Sequence, residues 1–125
     1  MTTFTRFEDL PAWNTAKNLS NLIYDLSDQG KFARDFGLRD QIRRAAVSVM
    51  SNIAEGFDSS TNPLFRSYLS RAKASAGEVK SQLYLARDRD YIRHEDFKKA
   101  RELAESCSGQ LRGFLSYLRK VERSK

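Results

Sequence analysis

Ser48 and Asn52 stand one helical turn apart with Glu55 just beyond, and a serine among polar neighbours is this sequence's nearest approach to a nucleophile. A serine attacks only when a base takes its proton, and the G-x-S-x-G turn that presents many such residues is missing. The single histidine, His94, falls in a different turn with nothing in the sequence linking it to Ser48. An enzyme would therefore need an unrecognised site around Ser48, Asn52 and Glu55. A polar contact between helices or to backbone satisfies Ser48 and Asn52 as structural residues without catalysis. Carboxylate-bridged metal bundles need a Glu three residues ahead of an inward His, and Tyr91 holds that position before His94. The six glycines are isolated and form no phosphate-binding or dinucleotide fingerprint. Cys107 is the sole cysteine, so no intramolecular disulfide can form, and it suits a small core position. The expectation is a non-enzymatic chain with no metal and no cofactor.

Charge is the remaining chemical resource. Twenty-two Lys and Arg against sixteen Asp and Glu give a formal charge of +6, which draws polyanions such as RNA or DNA, or serves solubility alone. Placement sharpens this: Arg66, Lys73, Lys80 and Arg87 recur at heptad intervals and form one slowly drifting stripe on a helix. The stripe lies about 90° from the centre of the apolar face, where long side chains can cover a seam and keep their charges in water. It reads either as that solvated edge or as a rail about 30 Å long that tracks phosphates. Arg39, Arg43 and Arg44 could extend such a rail, as could Arg112, Arg119, Lys120 and Arg123. Interspersed acids (Asp40, Glu78, Asp88, Asp90) favour nonspecific or shape-reading contact over base readout.

The elements that position these residues follow from periodicity. With 40% hydrophobic residues, 30% charged residues and two prolines among 125 residues, the chain fits one helical domain over 1–125. Helices are expected at about 9–29, 38–56, 63–90 and 94–122. Asp9 is read as the first N-cap, Gly30 as a stop, Gly56 as lying just past the second helix, and Asn62 as capping the third with Pro63 at its first position. Apolar stripes run through Leu10, Leu19 and Ile23; Leu38, Ile42 and Ile53; Leu69, Val79 and Leu83; and Phe97, Cys107 and Leu111. Phe32 and Phe36 make the 30–37 connection one that packs. The fold class expected is all-α, an antiparallel up-down-up-down four-helix bundle. The start, Met1 to Asp9, carries no apolar run or cleavage pattern, and the apolar-leaning run 45–54 is too short to cross a bilayer, so a cytoplasmic protein with no membrane partner is expected.

Two further groups bear on assembly. Ser67, Ser70, Ala74, Gly77 and Ser81 lie on the side of the third helix away from its core stripe, where small residues let another helix approach. Val47, Met50 and Ala54 widen the apolar arc of the second. Both are candidates for a homo-oligomer interface, though each is also ordinary at a surface.

The run Phe36-Gly37-Leu38-Arg39-Asp40-Gln41-Ile42-Arg43-Arg44-Ala45-Ala46-Val47-Ser48, followed by Asn52-Ile53-Ala54-Glu55-Gly56, resembles the signature of the four-helix bundle proteins encoded in bacterial 23S rRNA intervening sequences. The opening Phe7-Glu8-Asp9-Leu10 with Trp13 and Ala16 is similar to that family's start, and the likeness runs to about Leu118. The resemblance implies an antiparallel bundle assembled as a homopentameric ring without known catalytic activity. Similar folds occur in the accessory variability determinant proteins of diversity-generating retroelements, where a basic ring is thought to engage nucleic acid and a reverse transcriptase. By that analogy the basic residues of the second and third helices are ligand contacts. Ala74-Ser75 stands where the family often has Gly-Ser, with Gly77 displaced, so subunit packing need not follow the family's. Two functions stay open: an oligomeric protein that binds RNA or DNA through a basic surface, and a protein-interaction scaffold whose charges only solubilise it.

Overall fold

The computed structural model describes residues 4–123; Met1 to Thr3, the first positions of the expected leader-free start and domain, lie outside the described residues, as do 124–125. Among the described residues all regular structure is helical: a 3-10 turn at Phe7–Asp9, then α1 (Pro11–Ser27), α2 (Gly30–Arg34), α3 (Phe36–Phe57), α4 (Asn62–Asp88) and α5 (His94–Arg123). Each of the four long helices packs on two others, in the pairs α1 with α3, α3 with α4, α4 with α5, and α5 with α1.

The apolar stripes meet in two core layers. One gathers Leu19, Ile23 and Leu26 of α1, Phe32 of α2, Ile42 of α3, Leu83 of α4 and Phe97 of α5. The other gathers Leu10, Ala16, Val49, Ile53, Leu69, Cys107 and Leu111. Alanines at 16, 46, 72, 76, 86 and 100 are fully buried, and such small residues let helix axes approach closely. Gly56 makes the tightest approach, because a Cβ there would stand 2.8 Å from Tyr68 Cβ and 2.9 Å from Phe65 Cδ1. Hence Gly56 lies buried inside α3 and not beyond it.

Local signals were displaced where burial or a better acceptor overrode them. Leu10, not Asp9, is the N-cap of α1: its side chain is buried, and the chain reaches it through the 3-10 turn that takes in Asp9. Thr61, not Asn62, caps α4, its hydroxyl accepting from Leu64 N at 3.3 Å. Gly30 does not stop α1, which ends at Ser27; with φ of 52° it opens the unforeseen α2, which turns Phe32 fully into the core. Phe36 of that connection is 63% exposed instead of packed. The end of α4 carries no glycine: Asp90, φ 57°, takes the left-handed position while Tyr91 N bonds Ala86 O and Asp90 N bonds Arg87 O, a Schellman-type stop.

That stop places Tyr91 where its hydroxyl donates to Asp35 Oδ2 at 2.9 Å and its ring stacks on Phe32 at 5.4 Å. Asp35 Oδ1 also caps α3 by accepting from Leu38 N at 3.1 Å. One carboxylate thus ties α2, α3 and the α4–α5 turn together, and the Leu38 amide, then the Tyr91 hydroxyl, hold its pKa below the usual 3.8.

Two outcomes follow for stability. Gly56→Ala should destabilise by about 1–3 kcal/mol through overpacking, although alanine is the better helix former. Gly113→Ala, where a Cβ meets nothing within 4 Å, should stabilise by roughly 0.5–1 kcal/mol; urea melts of both variants check the opposite signs. Since Asp35 has a depressed folded pKa, its contribution is present above the unfolded value and lost as pH falls through the folded one. The stability gap between wild type and Asp35→Asn should therefore be open near neutral pH and close in acid.

Candidate nucleic-acid interface

The basic stripe of α4 runs along its seam with α5, and α5 answers it unevenly. Arg66 makes a two-pronged pair with Glu122, Nε to Oε1 at 2.9 Å and Nη2 to Oε2 at 2.7 Å. Lys80 Nζ stands 2.9 Å from Glu105 Oε1, and this cation holds the Glu105 carboxyl below its usual range. Arg87 pairs with Asp88 at 3.2 Å and lies over the Tyr84 and Phe97 rings at 4.9 and 4.8 Å. Three of the four stripe residues are therefore tied down as cross-braces or stacks.

Lys73 is different. Between the Arg66 and Lys80 braces the seam opens into a groove of about 840 Å³, lined by Lys73 and Lys80 from α4 and by Arg112 and Arg119 from α5. Ser70, Ala74, Gly77 and Ser108 also line it and leave it roomy; a Cβ on Gly77 would meet nothing within 4 Å. Glu105 is the one carboxylate among the lining residues, and Lys80 already engages it. A concave wall with cations in excess focuses positive potential and suits an anion chain better than a lone anion. The groove unites residues that the sequence assigns to two different purposes, since Ser70, Ala74 and Gly77 are also the expected assembly face. Its α5 wall had a signal: Glu105, Arg112 and Arg119 are themselves spaced by sevens.

The α3 cations lie elsewhere. Arg39 is bound to Asp40 at 3.0 Å and donates to Ala33 O at 3.1 Å, with its guanidinium over Phe36. Arg43 reaches α1, donating to Ser27 Oγ at 2.7 Å, near Asp28 at 3.8 Å. Arg44 is exposed and lines a separate cleft with Tyr24, Asp40, Arg43, Val47 and Ser48. A continuous rail from α3 through α4 is thus not what the fold assembles.

Ser48 Oγ lies 3.0 Å from Ser75 Oγ of α4 and accepts from Asn52 Nδ2 at 3.0 Å, while Asn52 also donates to Ser48 O at 2.8 Å. None of these partners takes a proton at neutral pH, so the trio joins α3 to α4 and gives Ser48 no base. His94 opens α5 in an exposed position, its ring 6.5 Å from Phe97. No cluster of His, Cys, Asp and Glu suited to a metal ion occurs among the described residues, and none of their helices is long and apolar enough to cross a membrane. Of the assembly candidates, Ser67, Ser81 and Val47 are exposed, Ala54 is half-buried, and Met50 packs partly into the core.

Residues 8–113 match the family model described as 23S rRNA-intervening sequence protein. In fold the chain is similar to a protein with unknown function from the S23 ribosomal protein family of Bacteroides thetaiotaomicron VPI-5482, with a TM-score of 0.77 at 20% identity over 83% of this chain and 97% of that one. No curated protein matches the sequence.

Cys107 gives a direct check on the packing beneath the groove. Its thiol is buried, 3.7 Å from Ala12 O, and desolvation pushes its pKa up to about 12. At pH 8 roughly one molecule in ten thousand would carry the thiolate, so an aromatic disulfide reagent should leave the folded protein unlabelled and react promptly in urea. Prompt labelling without denaturant would mean that the α1–α5 seam opens.

Proposed function

The chain belongs to the 23S rRNA-intervening sequence protein family, and on that premise we propose that it is a non-enzymatic, homo-oligomeric RNA- or DNA-binding protein that holds a phosphate backbone in the α4–α5 groove. The observation that carries this reading is the excess of cations there: Lys73, Arg112 and Arg119 face a groove whose one carboxylate is already engaged by Lys80. Phosphates approaching it would release condensed counterions, a sequence-independent gain. Shape and backbone contact fit the groove better than base readout, since its lining offers cations and small residues suited to phosphate contact.

The architecture proposed beneath it is an antiparallel up-down-up-down four-helix bundle. Cross-contacts support this: along α4 and α5, Arg66 meets Glu122 while Lys80 meets Glu105, and along α3 and α4, Gln41 meets Gln82 while Ser48 meets Ser75. Numbers rise on one helix as they fall on the other. Assembly into a ring, pentameric as the family resemblance implies, would repeat the groove around an axis and multiply weak phosphate contacts.

Binding of a structured RNA and of duplex DNA should weaken steeply with salt. The double variant Lys73→Glu/Arg112→Glu should bind far more weakly and flatten the log–log salt slope by about 0.9 for each duplex phosphate that is no longer neutralised. Glu105→Gln should bind more tightly than wild type because it frees Lys80. Fluorescence anisotropy at two salt concentrations, with light scattering to show unchanged assembly, reads all three. An intact wild-type oligomer that binds neither nucleic acid at low salt would overturn the reading and leave the protein-interaction scaffold in its place.

A further inference from the structure

The second cleft, between α1 and α3, has a chemistry the groove lacks. Tyr24 of α1 is 45% exposed, and the Arg43 guanidinium lies 4.6 Å from its ring centroid. That guanidinium does not swing freely: its Nε donates to Ser27 Oγ at 2.7 Å, Ser27 is itself anchored on Ile23 O at 2.6 Å, and the Asp28 carboxylate stands 3.8 Å from Nη2. The result is a preorganised stack of a phenol and a guanidinium whose side-chain freedom is already lost before any ligand arrives. Val47, also exposed, adds an apolar wall. Arg44 adds a cation with no carboxylate within ion-pair distance among the described residues, since nearby Asp40 is held by Arg39. The cleft measures about 470 Å³ and shares no lining residue with the α4–α5 groove, which contains no aromatic side chain.

A planar π-surface, an apolar flank and one free cation in a cleft of that size match a single nucleotide. We propose that the α1–α3 cleft is a stacking site for one unpaired nucleotide, its base against the Tyr24–Arg43 pair and Val47 and its phosphate on Arg44. The inference rests on the proposed nucleic-acid reading and deepens it to a preference for single strands: a duplex keeps its bases stacked inward and offers Tyr24 no face, whereas a loop or end can splay a base outward.

The test compares a short single-stranded oligoadenylate with a duplex of equal length on wild type, Tyr24→Ala and Tyr24→Phe. Loss of one stacked base is worth about 1–3 kcal/mol, which converts to roughly a 5- to 150-fold weaker single-strand affinity in Tyr24→Ala. Duplex affinity should stay unchanged and Tyr24→Phe, which keeps the ring, should bind as wild type. Equal effects of Tyr24→Ala on both nucleic acids, no effect on either, or dissociation of the oligomer would overturn the proposal. Adenosine monophosphate, too small to span both sites, is titrated in parallel by NMR with inorganic phosphate as control. Shifts at Tyr24 and Val47 with the nucleotide but not with phosphate keep the cleft even if no polynucleotide binds, in which case only the groove reading fails. Absence of those shifts sinks the cleft whatever the groove does.

Discussion

Close approach of helix axes is the constraint on which the other features depend. Alanines fill much of the buried seam, and Gly56 lets α3 come so near to α4 that no Cβ could be added there without a shift. At such separations a long side chain on the flank of one helix reaches the flank of the next. Flank residues of α4 therefore become cross-braces wherever α5 presents an acid, as Glu122 and Glu105 do, and stay available wherever it presents a cation or a small residue, as at Lys73. Exposed ion pairs of this type add little to stability. Their larger effect is to sort the stripe's charges into those engaged within the protein and those left facing the groove.

The four long helices were legible because each buries a stripe whose 3.6-residue period is written in one stretch of chain. Cap positions were less so, since Thr61 and Asn62 are both good acceptors and only the actual backbone path decides between them. The α4 stop was hidden because an aspartate, not a glycine, takes the left-handed position at Asp90. Short α2 has too few residues for a period and exists to turn Phe32 inward. The candidate site was half legible: the heptad of cations stood out, but Arg66 and Glu122 are 56 positions apart, and no local pattern says that they meet. The groove exists because the fold lays a second heptad row, Glu105, Arg112 and Arg119 of α5, beside the first.

The same geometry explains why polar residues suited to chemistry in isolation do something else here. Ser48, Asn52 and Ser75 form a hydrogen-bonded trio between α3 and α4, which satisfies hydroxyls that would otherwise sit half-buried without partners. Desolvation keeps Cys107 a thiol. Charge and aromatic surface line the two concavities, on opposite pairs of helices: cations along α4 and α5, and a phenol with its guanidinium on α1 and α3.

The two core layers carry a last implication. Each layer draws side chains from all four long helices, so no helix can leave without emptying part of both. A helical hairpin cut from this chain would keep its own backbone hydrogen bonds but not the apolar packing that holds them. Amide protons in the middles of α1, α3, α4 and α5 should consequently exchange with solvent through one shared opening, while the short α2 and the helix ends exchange earlier. Packed in this way, the four long helices form one cooperative unit and not two separable hairpins.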